Sequence, residues 1–217
     1  MSPPGFRHLA EASPNHLALA APDGHHWRRD ELLAECRRLA RDIEVSGFTQ
    51  EQNATGLVTA IALGLSMGTA GSAPLDCDTP EALHSATRLM ESCGIEPEGD
   101  NLFYCIDPLH CEESMAWAIA AIHYGHPVVL ADQWQPTSML RDIERYRITY
   151  SYVTRGQLDD LLALTHEGTR SRDLSSMRCL IQGGEPCPEH ICAEIRNLWG
   201  LELRPLPRPA TTARLAS

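Results

Sequence analysis

From residue 101 onward the chain alternates short apolar runs with longer stretches of helical periodicity, and few folds accommodate that order. Residues 102–106, 128–131, 149–153 and 178–182 are the short runs, dominated by apolar and aromatic side chains. Residues 112–124, 137–146, 157–164 and 188–198 carry apolar residues at the spacing of one helix face. Gly125 and Gly200 stand just past helical stretches, while Pro136 and Pro188 mark helix starts. A helix between successive strands calls for parallel pairing through a right-handed crossover, not a tight hairpin. The pattern predicts an α/β fold: a mainly parallel sheet flanked by helices.

The first part of the chain adds a smaller unit. Residues 17–21 read as a strand running into a Pro22-Asp23-Gly24 turn, with residues 25–28 as the return strand. Residues 30–46 form the clearest helix, with Leu32, Leu33, Cys36, Leu39, Ala40 and Ile43 on one face. Asp30 is placed to cap its start and Gly47 to stop it. The expected organisation is a strand pair and helix over 1–47, a connector over 48–100, a βαβ-repeat domain over 101–200, and a loose tail over 201–217. Three prolines and three arginines in that last segment, with little periodicity, suggest the tail.

Charge and composition narrow the partners. The formal net charge of -11 argues against nucleic acid or an anionic membrane as a partner, since neither is attracted to an acidic surface. Residues 56–71, the longest apolar stretch, are too short and too rich in glycine and threonine to span a bilayer. Residues 1–5 carry no basic-then-apolar export signal, so a soluble, cytoplasmic protein is expected. None of the eight cysteines forms a Cys-x-x-Cys pair, and several replace small apolar residues, which points to reduced, buried thiols. His123-x-x-His126 is interrupted by Gly125, so no metal site is expected.

All 18 cationic side chains are arginine, and lysine is absent. That excludes lysine Schiff bases and a phosphate-loop lysine, because a guanidinium is a wide planar fork and not a point charge.

Read in order, the motifs resemble the AMP-dependent synthetase and ligase family, which includes acyl-CoA synthetases and other adenylate-forming enzymes. The resemblance rests on Pro108-Leu109-His110, on "GHPVVLADQWQP" after the following helix, on "MLRDIERYRITYSYV", and above all on "RDLSSMRCLIQGGEPCP". "LALAAPDGHHWRRDELLAECRRLARDI" is similar to the opening strand pair and first helix of a member. Where the family continues its strand into a proline and a threonine, this chain has Thr154 and Arg155. The resemblance implies a fold like a shortened N-terminal region of an acyl-CoA synthetase. It also implies ATP, AMP or CoA as possible ligands. His110 would stand beside an acyl or aryl pocket, and Gly183, Gly184, Glu185 and Pro186 would form a wall near the adenine.

The same resemblance implies a phosphate loop, and Ser66, Gly68, Thr69 and Gly71 occupy its place ahead of Pro74. Glycines let backbone N–H groups approach a phosphate and hydroxyls add donors. The position of the family's lysine is Leu75, however, and Asp76 replaces the last glycine. The connector is short, and "LRPLPRPATT" stands where a magnesium-holding glutamate motif would follow. The expectation is a degenerate, truncated ligase-like chain, a pseudoenzyme on its own. It would bind an acyl or aryl carboxylate, a thioester, a nucleotide-like ligand or a partner, and it would form a homodimer or join a partner protein. One alternative is a ligase completed in trans. Another is an esterase or thioesterase built on the Gly64-x-Ser66-x-Gly68 pattern, with Asp132 and His166 or His190 following in chain order. Of the aromatic residues Trp117, Tyr124, Trp134, Tyr146, Tyr150 and Tyr152, Trp134 and Tyr152 are candidates to line a pocket, and the rest are read as core. Arg141, Arg145 and Arg147 are read as a solvated helix face paired with Asp142 and Glu144.

Overall fold

The computed structural model describes residues 5–46, 61, 65, 80–106, 111–131, 133–166 and 172–206. In chain order the elements are α1 (Phe6–Ala12), β1 (Leu17–Ala20), β2 (His26–Arg28), α2 (Arg29–Ser46), α3 (Pro80–Ser92), β3 (Phe103–Ile106), α4 (Glu112–His123) and β4 (Val128–Ala131). They continue with α5 (Pro136–Tyr146), β5 (Tyr150–Thr154), α6 (Arg155–His166), β6 (Cys179–Gly183), α7 (Glu189–Trp199) and β7 (Glu202–Pro205). The strands form one sheet in the order β2-β1-β4-β3-β5-β6-β7. Only the β1–β2 pair is antiparallel among the described strands, so the α/β class with a mostly parallel sheet stands as the alternation predicts.

The strand order explains where the helices lie. From β3 the chain steps to β4 on one side, then returns past β3 to β5 and proceeds outward through β6 and β7. Right-handed crossovers that travel in opposite directions must lie on opposite faces. Accordingly, Phe103, Cys105, Tyr152 and Ile181 join a core with α4 and the N-terminal helices. Tyr104, Ile106, Val153 and Leu180 join a second core with α5, α6 and α7. Alternate residues of each central strand thus bury on opposite faces, which is why those strands read as continuous apolar runs.

Local chemistry sets the helix ends. Strand β2 runs straight into α2, and the Glu31 carboxylate accepts the Arg28 backbone N–H at 2.8 Å. Arg28 therefore precedes the helix as its cap residue and Asp30 lies inside the first turn, a correction to the expected Asp30 cap. At α6 the cap is complete: Thr154 N–H donates to Gln157 Oε1 at 2.8 Å, and Gln157 N–H donates to Thr154 Oγ1 at 3.4 Å. Buried Ser114, in the first turn of α4, donates its hydroxyl to the Ile106 carbonyl at 2.6 Å and ties that turn to the end of β3.

Three elements depart from the expectations. Residues 202–205 are a strand, not loose tail, pairing in parallel with β6 from Cys179↔Glu202 to Gln182↔Pro205. Leu201 is buried, Leu203 packs on the second core, and the Arg204 guanidinium donates to the Cys93 carbonyl at 2.6 Å. Pro205 is tolerated because β7 is an edge strand. Helix α1 and helix α3, which lies within the expected connector, were not anticipated. Their buried faces are short: Phe6, Leu9 and Ala10 in one, Ala82, Ala86 and Met90 in the other. Residues 207–217 lie outside the described residues, as does Gly47.

His126 is buried, stacks on Phe103 with ring centroids 5.0 Å apart, and has Nε2 2.9 Å from the Glu96 carbonyl. A carbonyl only accepts, so the neutral ring carries its proton on Nε2. Burial, the largest influence, holds this histidine below its ordinary pKa. The unfolded chain therefore takes up a proton that the folded chain resists. The contribution to stability is complete above about pH 6.5 and is lost as the pH falls below that value. Thermal melts between pH 7 and pH 5 should show a fall in Tm that shrinks in His126→Gln. For the α6 cap, Thr154→Ala should cost about 1 kcal/mol in urea unfolding with an unchanged m-value.

Candidate functional site

Because β4, β3, β5 and β6 are parallel, their carboxyl ends share one edge of the sheet. At the neighbouring strands β3 and β5 the following helices depart to opposite faces, which opens a crevice at the carboxyl edge of such sheets. Five described segments reach this edge: the start of α4 at Cys111, the end of β5 at Tyr152–Thr154, the start of α6 at Arg155, the turn 183–186 after β6, and Cys187 beyond it.

The turn needs its two glycines for different reasons. Gly183 is buried under the ring of Tyr152, and a Cβ at that position would overlap the Tyr152 hydroxyl and ring carbons. Gly183 is thus required by space. Gly184 has φ 80° with nothing within 4 Å of where a Cβ would stand. It is required by backbone conformation, and it leaves open space beside the turn. Gln182, buried at the end of β6, holds the loop from within: its amide donates to the carbonyls of Gly183 and Glu185 at 2.6 and 2.5 Å. Its positioning role was missed in the sequence, although a single amide closing an apolar run is a visible signal.

Tyr152 lies on the α4 side of the sheet. Its hydroxyl is 4.0 Å from Cys111 Sγ, and Cys111 Sγ is 3.6 Å from a Glu113 carboxylate oxygen. Burial pushes the phenol well above its ordinary pKa, and Cys111 and Glu113 push the same way, so it stays a neutral donor. Trp134, the other aromatic singled out for a pocket, is on the opposite face: its indole N–H donates to Asp160 at 2.7 Å, and it packs with the α5–α7 core. Trp117, Tyr124 and Tyr150 are core, as expected. Arg155 donates to both Asp159 carboxylate oxygens at 3.0 and 3.1 Å and has Nη1 3.9 Å from Cys187 Sγ. The helix-face arginines pair more widely than expected: Arg141 with Asp142, but Arg147 with Asp173 and Glu144 with Arg172.

Of the predicted site residues, the structure places Gly183, Gly184, Glu185 and Pro186 together on the carboxyl edge. His110, Ser66, Gly68, Thr69, Gly71 and Asp132 lie outside the described residues. His190 is an exposed residue of α7. Among the described residues no three His, Cys, Asp or Glu side chains gather as a metal site would require. No described helix is long and apolar enough to cross a membrane.

Fold and edge together define a class: a doubly wound α/β domain with a glycine turn beside the point where its connections diverge. The family model for AMP-binding enzymes matches residues 79–206, more than half of the chain, and the chain belongs to that family. It is 27% identical over 143 residues to a probable CoA ligase of Humulus lupulus, covering 65% of this chain and 25% of that one. It is 26% identical over 169 residues to a 2-succinylbenzoate–CoA ligase of Bacillus velezensis, covering 77% and 31%. In fold it is similar to the O-succinylbenzoate coenzyme A synthetase of Bacillus subtilis solved with ATP and a magnesium ion. That match has a TM-score of 0.66 at 15% identity over 91% of this chain and 58% of that one. An amide bond synthetase of Marinactinospora thermotolerans matches with a TM-score of 0.67 at 17% identity, again over 91% and 58%. The chain spans between a quarter and a third of the length of the curated relatives it matches.

The Tyr152–Gly183 contact makes a direct prediction. Gly183→Ala should cost about 1–3 kcal/mol through overpacking. In a Tyr152→Ala background the same change should cost less, by on the order of 1 kcal/mol in a double-mutant cycle. Additive costs would show that the ring does not rest on the turn.

Proposed function

We propose that this chain binds an adenine nucleotide or an acyl or aryl carboxylate, or its thioester, at the carboxyl edge beside Gly183–Pro186, without completing adenylation by itself. The observation that carries the reading is the turn: a left-handed Gly184 with open space beside it, next to a glycine covered by an aromatic ring. Flat rings approach backbone closely only where side chains are missing. Similarity to synthetases described in complex with ATP or AMP supports the same ligand class. The turn residues fit the ring end of such a nucleotide. ATP bound there would supply an anhydride phosphorus for a carboxylate to attack.

The triphosphate end fits less well. The chain has no lysine, and Leu75-Asp76 occupies the position where the family resemblance expects lysine and glycine. A carboxylate there repels polyphosphate. Arg155, the described arginine at this edge, is engaged by Asp159. What the described residues do is bind and orient: Gln182 holds the loop, Tyr152 closes one side, and its neutral hydroxyl offers a donor.

Calorimetry and thermal shift with AMP, ATP, an aryl carboxylate and an acyl-CoA test this reading, with pyrophosphate exchange measured in parallel. At least one ligand should bind and raise Tm, and exchange should stay at background. Gly184→Asn tolerates the left-handed backbone but fills the open space, so it should weaken binding about tenfold. Silence from every ligand would overturn the binding reading, and exchange above background would overturn the inactivity. We further propose that the chain pairs with a second copy of itself or with a partner protein. A strict monomer by light scattering, alone and with family members of the same cell, would count against it.

A further inference from the structure

Helix α7 is preceded by Pro188 as its cap residue, which puts Cys187 just before the cap and Cys192 at the fourth helical position. Side chains at those two positions bridge the first turn of a helix, usually as an apolar staple. Here both are thiols. Cys192 Sγ donates to the Cys187 carbonyl at 3.8 Å, which folds the two cysteines against each other across the first turn. Both are half-buried and free. Arg155 Nη1 stands 3.9 Å from Cys187 Sγ, a cation on the sulfur that would have to ionise.

The remaining described thiols are placed differently. Cys36, Cys93, Cys105 and Cys179 are buried, and Cys111 faces Glu113 and Tyr152. Nothing in the ligand site described above uses Cys187 or Cys192. We propose that Cys187 and Cys192 are a reversible dithiol–disulfide pair, a modification site that closes residues 187–192 over the first turn of α7.

The oxidant is a hydroperoxide. One sulfur, as thiolate, attacks the terminal peroxide oxygen. The O–O bond breaks, leaving a sulfenic acid and releasing water or an alcohol. The second sulfur attacks the sulfenic sulfur, the S–O bond breaks, a second water leaves and the S–S bond forms. Two electrons pass from the thiol pair to the peroxide, and the two thiol protons leave in the products. A dithiol reductant reverses the step by exchange. Burial, with Cys192 beside it, pushes the Cys187 thiol up to about 11 while Arg155 opposes them, so the pair oxidises slowly compared with a dedicated peroxide sensor. Since Cys187 directly follows Pro186, closure also fixes the exit of the glycine turn.

Peptide mapping of the whole native chain tests this without any ligand, so it stands or falls separately from the proposed function. The chain is treated with hydrogen peroxide, its free thiols are capped with a maleimide, and it is cut with a glutamate-specific protease. Cleavage after Glu189 places the two cysteines on different peptides; the first also holds Cys179, so fragmentation of the crosslinked pair reads which sulfur is joined. The expected result is one crosslinked pair, lighter by about 2 Da than the two free peptides together. It should carry two fewer maleimides and return to free thiols with dithiothreitol. Cys187→Ser and Cys192→Ser should each abolish the crosslink, and Cys111→Ser should leave it unchanged. Maleimide on both thiols after peroxide, or either one joined to another cysteine, overturns the proposal. The wild-type map alone separates these outcomes, even if a variant fails to fold.

Discussion

The handedness of the crossovers governs this molecule. A parallel strand pair joined through a helix must close in one hand, so reversing direction along the sheet moves the next helix to the other face. The chain reverses after β4, passing back over β3 to reach β5. That step builds two cores on one sheet and sends the connections after β3 and β5 apart. It also buries β3, β5 and β6 on both faces, so polar groups there need partners within the protein. Ser114 on the Ile106 carbonyl and Gln182 on the two turn carbonyls are such partners, and both sit at strand ends that lead into the crevice.

The carboxyl edge is shaped more by what side chains leave empty than by what they offer. Gly183 makes room for an aromatic ring on the neighbouring strand, and Gly184 turns the backbone left-handed into open space. The capping box at Thr154 and Gln157 does related work at β5. Where relatives are expected to have a proline and threonine, this chain ends the strand with a reciprocal pair of side-chain bonds and begins α6 at once.

The central alternation was legible because β3 to β6 and α4 to α7 each bury a consistent face, and periodicity reports burial. Element ends fall within two or so residues of the sequence reading, and Gly200 and Pro136 stand where punctuation predicts. Helices α1 and α3 were not legible, since each buries only a few small or isolated residues that make no sustained stripe. Strand β7 was hidden by its edge position, where Arg204 and Pro205 are allowed and only Leu203 packs inward. The glycine turn could be read as a motif. Its contact with Tyr152 could not, because cross-strand neighbours depend on register, and register is a property of the folded sheet.

The all-arginine composition takes on meaning in the same light. Guanidinium groups act here as forks that bind oxygen atoms of the fold itself. Arg29 reaches the Gly125 carbonyl, Arg178 the Asn101 side chain at 2.7 Å, and Arg204 the Cys93 carbonyl. Arg147 bridges to Asp173 and Arg155 to Asp159. Exposed pairs of this kind contribute little singly. The carbonyl contacts differ, since each satisfies an acceptor that the turn or loop would otherwise leave to water. A lysine could neutralise charge at these places but could not span two acceptors with a planar group. A phosphate loop makes the opposite demand, for a compact mobile cation at the end of a flexible stem. In this chain the cations are all planar forks, and two of them are held on its own backbone carbonyls, where they fix the shape of the fold.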